Sequence, residues 1–97
     1  MINVETIDNN TFKVSVTKNA STVHIVLLND RFHLDVSNNK LTKTELITKS
    51  FEFLLERESN QAILKKFNLE VISQYFPEYF DEIKKTYSII QSSNIIT

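Results

Sequence analysis

Two imidazoles, His24 and His33, are the only histidines here, and there is no cysteine to stand beside them. Zinc takes three or four converging nitrogen, sulfur or carboxylate ligands, and two histidines on separate segments do not make that set. Acid–base work would fall to Glu52, Glu56 and Glu58. Glu52 and Glu56 share a helical face four residues apart, but Lys49 and Arg57 lie close by, so the group reads as a solvated, partly paired surface. Ser50 falls on the apolar side of the same helix, which leaves no Ser–His–acid arrangement to build around it. No catalytic residue, metal ligand or cofactor-binding residue is assigned, and the expectation is a protein that is not an enzyme and carries no cofactor.

Glycine is missing altogether. That removes Gly-rich phosphate loops, the dinucleotide fingerprint and the nucleophile elbow together. Left-handed turn positions must then fall to Asn and Asp, which cluster at Asp8-Asn9-Asn10, Asn19, Asn29-Asp30 and Asn38-Asn39.

Two binding readings remain. The first is a helix-turn-helix over 60–75, with Ala62 and Ile72 spaced as its anchors and "KFN" at the turn. Against it, Lys66 stands where glycine often permits the turn, and Glu70 would meet phosphates at a cost. The second is "VISQYFPEYFDEI", residues 71–83, which holds the only proline among four aromatic rings and three carboxylates. Tyr is enriched in partner-binding surfaces, although rings at a helix junction also serve as core. Phe76, with no polar atom, is expected to point inward, and Phe80 to join the core. Tyr75, Glu78, Tyr79 and Glu82 are the candidate partner-binding residues, with the Tyr79 hydroxyl expected at a solvated rim.

Composition bounds the rest. With 97 residues, 41% apolar and 24% charged, the chain suits one small globular domain. A net charge of −1 and a pI near 6.1 argue against a general nucleic-acid binder. No apolar run approaches the roughly 18 residues of a membrane span. "MINVETIDNN" has no apolar core of a secretory signal, so Asn19-Ala20-Ser21 is read as a chance glycosylation sequon and the setting as cytoplasmic. Abundant Asn, Lys, Ile, Ser and Thr suit an AT-rich bacterial genome.

These residues need elements to place them. "TFKVSV" alternates Phe12, Val14 and Val16 against polar neighbours, as a half-buried strand does. "TVHIVLL" is apolar on both faces near its end and belongs more centrally, joined to the first by a hairpin at 18–21. "INVET" adds a weaker third strand. Over 30–37, Phe32, Leu34 and Val36 alternate like a strand, yet Phe32 and Val36 also stand one helical turn apart. A short helical turn capped by Asp30 and closed by Asn38 is favoured. Thr42 and Glu45 form a capping box with Leu41 as staple. Behind it Leu46, Ile47, Ser50, Phe51, Leu54 and Leu55 trace a core stripe that Phe53 widens. Ser59 is expected to cap a helix over "NQAILKKF", and Asn68 another over "LEVISQYF". Pro77 suits the first turn of a helix and disfavours the α region at Phe76, so "YFPEYF" is an elbow between two helices. The domain is set at 1–88, with 89–97 a tail that frays or adds a strand.

The run "SFEFLLERE" followed by "ILKKFNLEVISQYFPEY" resembles a family of small bacterial proteins built on a phrase of that shape. The likeness covers residues 22–83. It departs at Asn38-Asn39, where the family has a glycine turn, and at Ser59, where proline is common. It implies a shared fold and a bacterial cytosolic setting, and it brings no activity with it.

The sequence thus predicts an α+β domain: an antiparallel sheet of two to three strands under one long helix and two or three short ones. Its expected function is a non-enzymatic protein-interaction module whose partner is another protein. The alternatives are a DNA-binding or antitoxin-like regulator and, third, a small-molecule binder or enzyme.

Overall fold

A computed structural model describes residues 1–96, and the side chains of residues 1–88. Three strands, β1 (Ile2–Asp8), β2 (Thr11–Lys18) and β3 (Ala20–Leu27), form an antiparallel meander. A fourth, β4 (Lys66–Asn68), adds parallel to β3, so the sheet is mixed, has four strands and runs β1-β2-β3-β4. The two to three antiparallel strands expected from the sequence undercount it by this one. Three residues carry no readable alternation; Lys66, Phe67 and Asn68 are strand because Ile25, Val26 and Leu27 are already there to pair with them.

Asparagine does the work of glycine at two of the four expected turns, while Asp8-Asn9-Asn10 and Asn29-Asp30 keep negative φ. Asn19 sits at φ 67° in the β2–β3 hairpin, and Asn38 and Asn39 sit at φ 50° and 62° after the first helix. Their short amides tolerate the left-handed region where larger side chains would not. The segment 30–37 is indeed helical, as α1 (Asp30–Ser37). Its N-cap, however, is Asn29 rather than Asp30: the Asn29 side chain accepts from the Phe32 N–H at 2.8 Å. Asn38 closes the helix, returning its N–H to the Leu34 carbonyl.

Helix α2 (Lys43–Leu55) opens with the expected capping box, in which Thr42 and Glu45 satisfy each other's backbone N–H. Its stripe of Leu46, Ile47, Phe51, Phe53 and Leu54 is buried against Phe12, Val14, Val16 and Val26 of the sheet. Lys43, at its first turn, donates to the Asn9 carbonyl (2.8 Å), Asn10 Oδ1 (3.0 Å) and Asp30 Oδ1 (2.6 Å). One ammonium thereby ties the β1–β2 turn and the start of α1 to the start of α2.

The helix expected over "NQAILKKF" does not form. Asn60–Ala62 make a single 3-10 turn, to which Ser59 gives no side-chain cap, and the chain then runs out into β4. A short helix, α3 (Val71–Tyr75), follows, and the Phe76 backbone is extended (φ −127°, ψ 93°) in front of Pro77. The expected break between two helices is therefore present, and α4 (Tyr79–Ile96) begins beyond it. The residues expected to fray or add a strand from 89 onward instead continue α4 as far as Ile96, with their side chains, and residue 97, outside those described.

Burial alternates along β2, with Phe12, Val14 and Val16 inside and Lys13 and Thr17 exposed. The helices cover the inner face only. Among the described residues no helix is long and apolar enough to cross a membrane.

Candidate functional site

Tyr79 and Ile83, one turn apart at the start of α4, both face inward and are fully buried. Tyr79 was expected at a solvated rim; it is the largest fully buried side chain among the described residues. Its ring lies parallel to Phe32 at 6.3 Å and edge-on to Phe53 at 5.4 Å. The hydroxyl, whose desolvation was the reason to place it outside, has a partner waiting. Ser50 Oγ donates to the Leu46 carbonyl at 2.7 Å, which leaves its lone pairs for the Tyr79 hydroxyl, also at 2.7 Å. Burial pushes the phenol far above its ordinary range, the serine bond offsetting only part of that. Ser50 on a buried stripe was the signal: a hydroxyl in the core needs company.

The other candidates separate. Glu78 receives Arg57 Nε at 3.1 Å and Glu82 receives Lys85 Nζ at 2.8 Å. Arg57 also reaches Glu56 and the Phe53 carbonyl while its guanidinium sits 3.6 Å over the Phe53 ring. Phe76 is only half-buried, edge-on to Phe53, and Phe80 is 40% exposed rather than core. Tyr75 alone of the four candidates is free, 71% exposed.

Tyr75 stands on the wall of a groove of about 330 Å³. Leu54 and Glu58 form one side of it, from the end of α2. Ala62, Ile63 and Leu64 follow the 3-10 turn across its floor, Phe67 comes from β4, and Val71, Ile72 and Phe76 close it from α3. The failure of the 60–67 helix is what makes the groove. A helix would set Ile63 and Leu64 only about 100° apart, whereas the extended backbone at Ile63 sends consecutive side chains to opposite sides, with Ile63 buried and Leu64 half in solvent at 51%. Glu58 is the only charged lining residue, and its carboxylate has no hydrogen bond or ion pair among the described residues. The nearest arginine, Arg57, is already engaged by Glu56 and Glu78. The sequence reading missed this site, apart from Tyr75. Its trace was the apolar run Ala62-Ile63-Leu64, which fits neither a helical stripe nor a strand.

Both histidines bridge separate segments of the chain. His24 is buried on β3, with Nδ1 donating to the Leu64 carbonyl (2.7 Å) and Nε2 accepting from Thr22 Oγ1 (2.9 Å). Asn60 Nδ2 completes the chain of bonds, reaching Thr22 Oγ1 and the Ala20 carbonyl. These contacts hold the floor of the groove to the sheet. His33 Nε2 donates to the Leu41 carbonyl at 2.6 Å and so braces the loop between α1 and α2.

In place of the helix-turn-helix that the alternative reading put over 60–75, a 3-10 turn, a three-residue strand and a five-residue helix occupy the segment. No protein-family model matches the chain, and neither does any curated protein or solved structure.

Proposed function

We propose that the protein is a non-enzymatic interaction module of a bacterial cytosol, and that the groove between α2, β4 and α3 receives a segment of a partner protein. The observation that carries this reading is an apolar groove with one unpaired carboxylate, Glu58, at its wall. Its volume, about 330 Å³, stands at the small end of ligand sites, which run from about 300 to 1,000 Å³, and holds one or two large side chains of a partner. Leu64 and Tyr75 stand half or more exposed beside it, and capping them would remove apolar area from water, worth about 25 cal/mol per Å². Glu58 supplies the polarity. A partner segment with a Leu or aromatic anchor next to a Lys or Arg would fill the groove and pair the carboxylate.

Peptide selection from a random displayed library tests this directly. Selected sequences are expected to carry an apolar anchor with an adjacent Lys or Arg. Tyr75→Ala and Leu64→Ala should each weaken the best peptide about tenfold or more with the melting temperature nearly unchanged, and Glu58→Lys should turn the preference toward acidic neighbours. Peptides without a basic residue, or peptides indifferent to all three substitutions, would remove the groove from the function.

A further inference from the structure

The opposite edge of the sheet is open, and its pattern is self-complementary. Strand β1 pairs with β2 alone among the described residues and ends the sheet order. Met1 exchanges both backbone bonds with Thr17, at 2.7 and 2.9 Å. In an antiparallel ladder such exchanges alternate, so Asn3 and Glu5 also face β2. Ile2, Val4 and Thr6 turn their N–H and C=O groups to the open side. Proteins guard such edges with Lys, Pro or a bulge. Here Ile2–Thr6 has neither Lys nor Pro, and the bulge comes only between Thr6 and Asp8.

Below the edge lies a hollow of about 260 Å³ between β1 and α2, lined by Val4, Leu41, Thr44, Glu45, Thr48 and Lys49. Val4 and Leu41 are half-buried apolar residues at the margin of the core. Glu45 and Lys49, one turn apart on α2, carry opposite charges.

We infer that this edge is the contact with a second copy of the chain, across a two-fold axis through Val4. In that register Val4 faces the partner's Val4 and Ile2 faces the partner's Thr6, giving about six new backbone hydrogen bonds. The inner row of Ile2, Val4 and Thr6 continues from one core to the next. On the outer face Asn3 meets the partner's Glu5, so no like charges oppose; an axis through Glu5 would place two carboxylates face to face. The hollow that Val4 lines is also lined by Thr44, Glu45, Thr48 and Lys49, so a charged turn of α2 flanks the same edge. Two such turns meeting across the axis would offer each Glu45 the partner's Lys49, which in its own chain stands 3.7 Å from Glu52. The axis through Val4 makes the most backbone bonds of the registers that oppose no like charges, and it sets the same patch of each copy against itself, as an isologous interface requires. The dimer would carry an eight-stranded sheet with a groove at each far end, next to β4.

Sedimentation equilibrium of the full chain should show a species of twice 11.3 kDa. Thr6→Pro removes an N–H that points to the open edge, so the β1–β2 ladder keeps its bonds, and circular dichroism checks that the fold persists. It should weaken the dimer at least about tenfold, and Lys49→Glu should do likewise, most strongly at low salt. As the chain has no cysteine, Asn3→Cys mixed with Glu5→Cys should cross-link, while Glu5→Cys alone should not. A monomer at all concentrations up to roughly 1 mM, even one that takes up a foreign strand, would overturn the inference. So would a dimer indifferent to both substitutions, or one that cross-links only through Glu5→Cys paired with itself.

Discussion

Tyr79 shows how a single hydrogen bond decides on which side of a fold a side chain belongs. A phenol left in the core without a partner loses the free energy of its hydroxyl's hydration, typically about 1–3 kcal/mol. The rim would then be the cheaper place, were it not for Ser50. With both Ser50 and Tyr79 fully buried and bonded at 2.7 Å, each satisfies the other, and the ring is free to stack on Phe32 and meet Phe53 edge-on. The consequence for mutation is sharp. Tyr79→Ala is expected to cost about 3–5 kcal/mol, the range for emptying a buried aromatic site. Tyr79→Phe keeps the ring and loses one bond, about 0.5–1.5 kcal/mol. Phe76→Ala, from a half-buried position, should cost less than Tyr79→Ala. Urea denaturation of the three variants measures the order. If Tyr79→Ala proved as mild as an ordinary surface change, within about 0.5 kcal/mol, the tyrosine would not be part of the core.

At the scale of elements, what could be read from the chain was whatever its neighbours in sequence determine. Helix α2 is local: its capping box, its stripe and its charged back are all written within residues 41–57, and the structure keeps them. The meander is nearly local, because Phe12, Val14 and Val16 alternate and the hairpin at Asn19 is short. Strand β4 is not local at all. "KFN" is strand through its pairing with Ile25–Leu27, some forty residues away, and no propensity within "ILKKFN" reports that. The groove inherits this opacity, since its floor exists only because 60–67 is not a helix. The turns, by contrast, follow from a composition without glycine, and Asn38 tests that logic. It holds a left-handed C-cap at φ 50°, where a Cβ next to the carbonyl oxygen costs about 1–2 kcal/mol that Asn partly escapes. Asn38→Ala should therefore destabilise by about 1 kcal/mol, while Asn38→Gly should hold or slightly raise the melting temperature. Equal effects of Ala and Gly would mean that the cap is not left-handed in solution.

The whole molecule is a two-layer sheet-and-helix domain with several elements fastened by ionisable side chains, so its stability must depend on pH in more than one window. The lower window belongs to the carboxylates. Asp8 is held below its ordinary value by the Asn10 N–H, Asp30 by Lys43, Glu45 by the Thr42 N–H, and Glu78 by its own N–H together with Arg57. A depressed carboxyl contributes stability that is present above its unfolded value and is lost as pH falls through its folded one. That loss begins below about pH 4.5. The upper window belongs to His24. Burial lowers its value first, Lys65 lowers it further, and only the Leu64 carbonyl works the other way. Below the ordinary value of 6.5, the unfolded chain takes up a proton that the folded imidazole refuses. Stability is thus complete above that pH and declines as pH falls toward the folded value. Because His24 ties β3 to the chain at Leu64, the decline should register as a fall in melting temperature between about pH 7.5 and 5, before any of the four carboxylates is protonated. His24→Gln should melt lower at every pH but lose that first slope, keeping only the one below about pH 4.5. A wild-type melting temperature that stays flat from pH 7.5 to 5, or a slope that survives in His24→Gln, would show that the proton taken up on unfolding does not belong to this histidine.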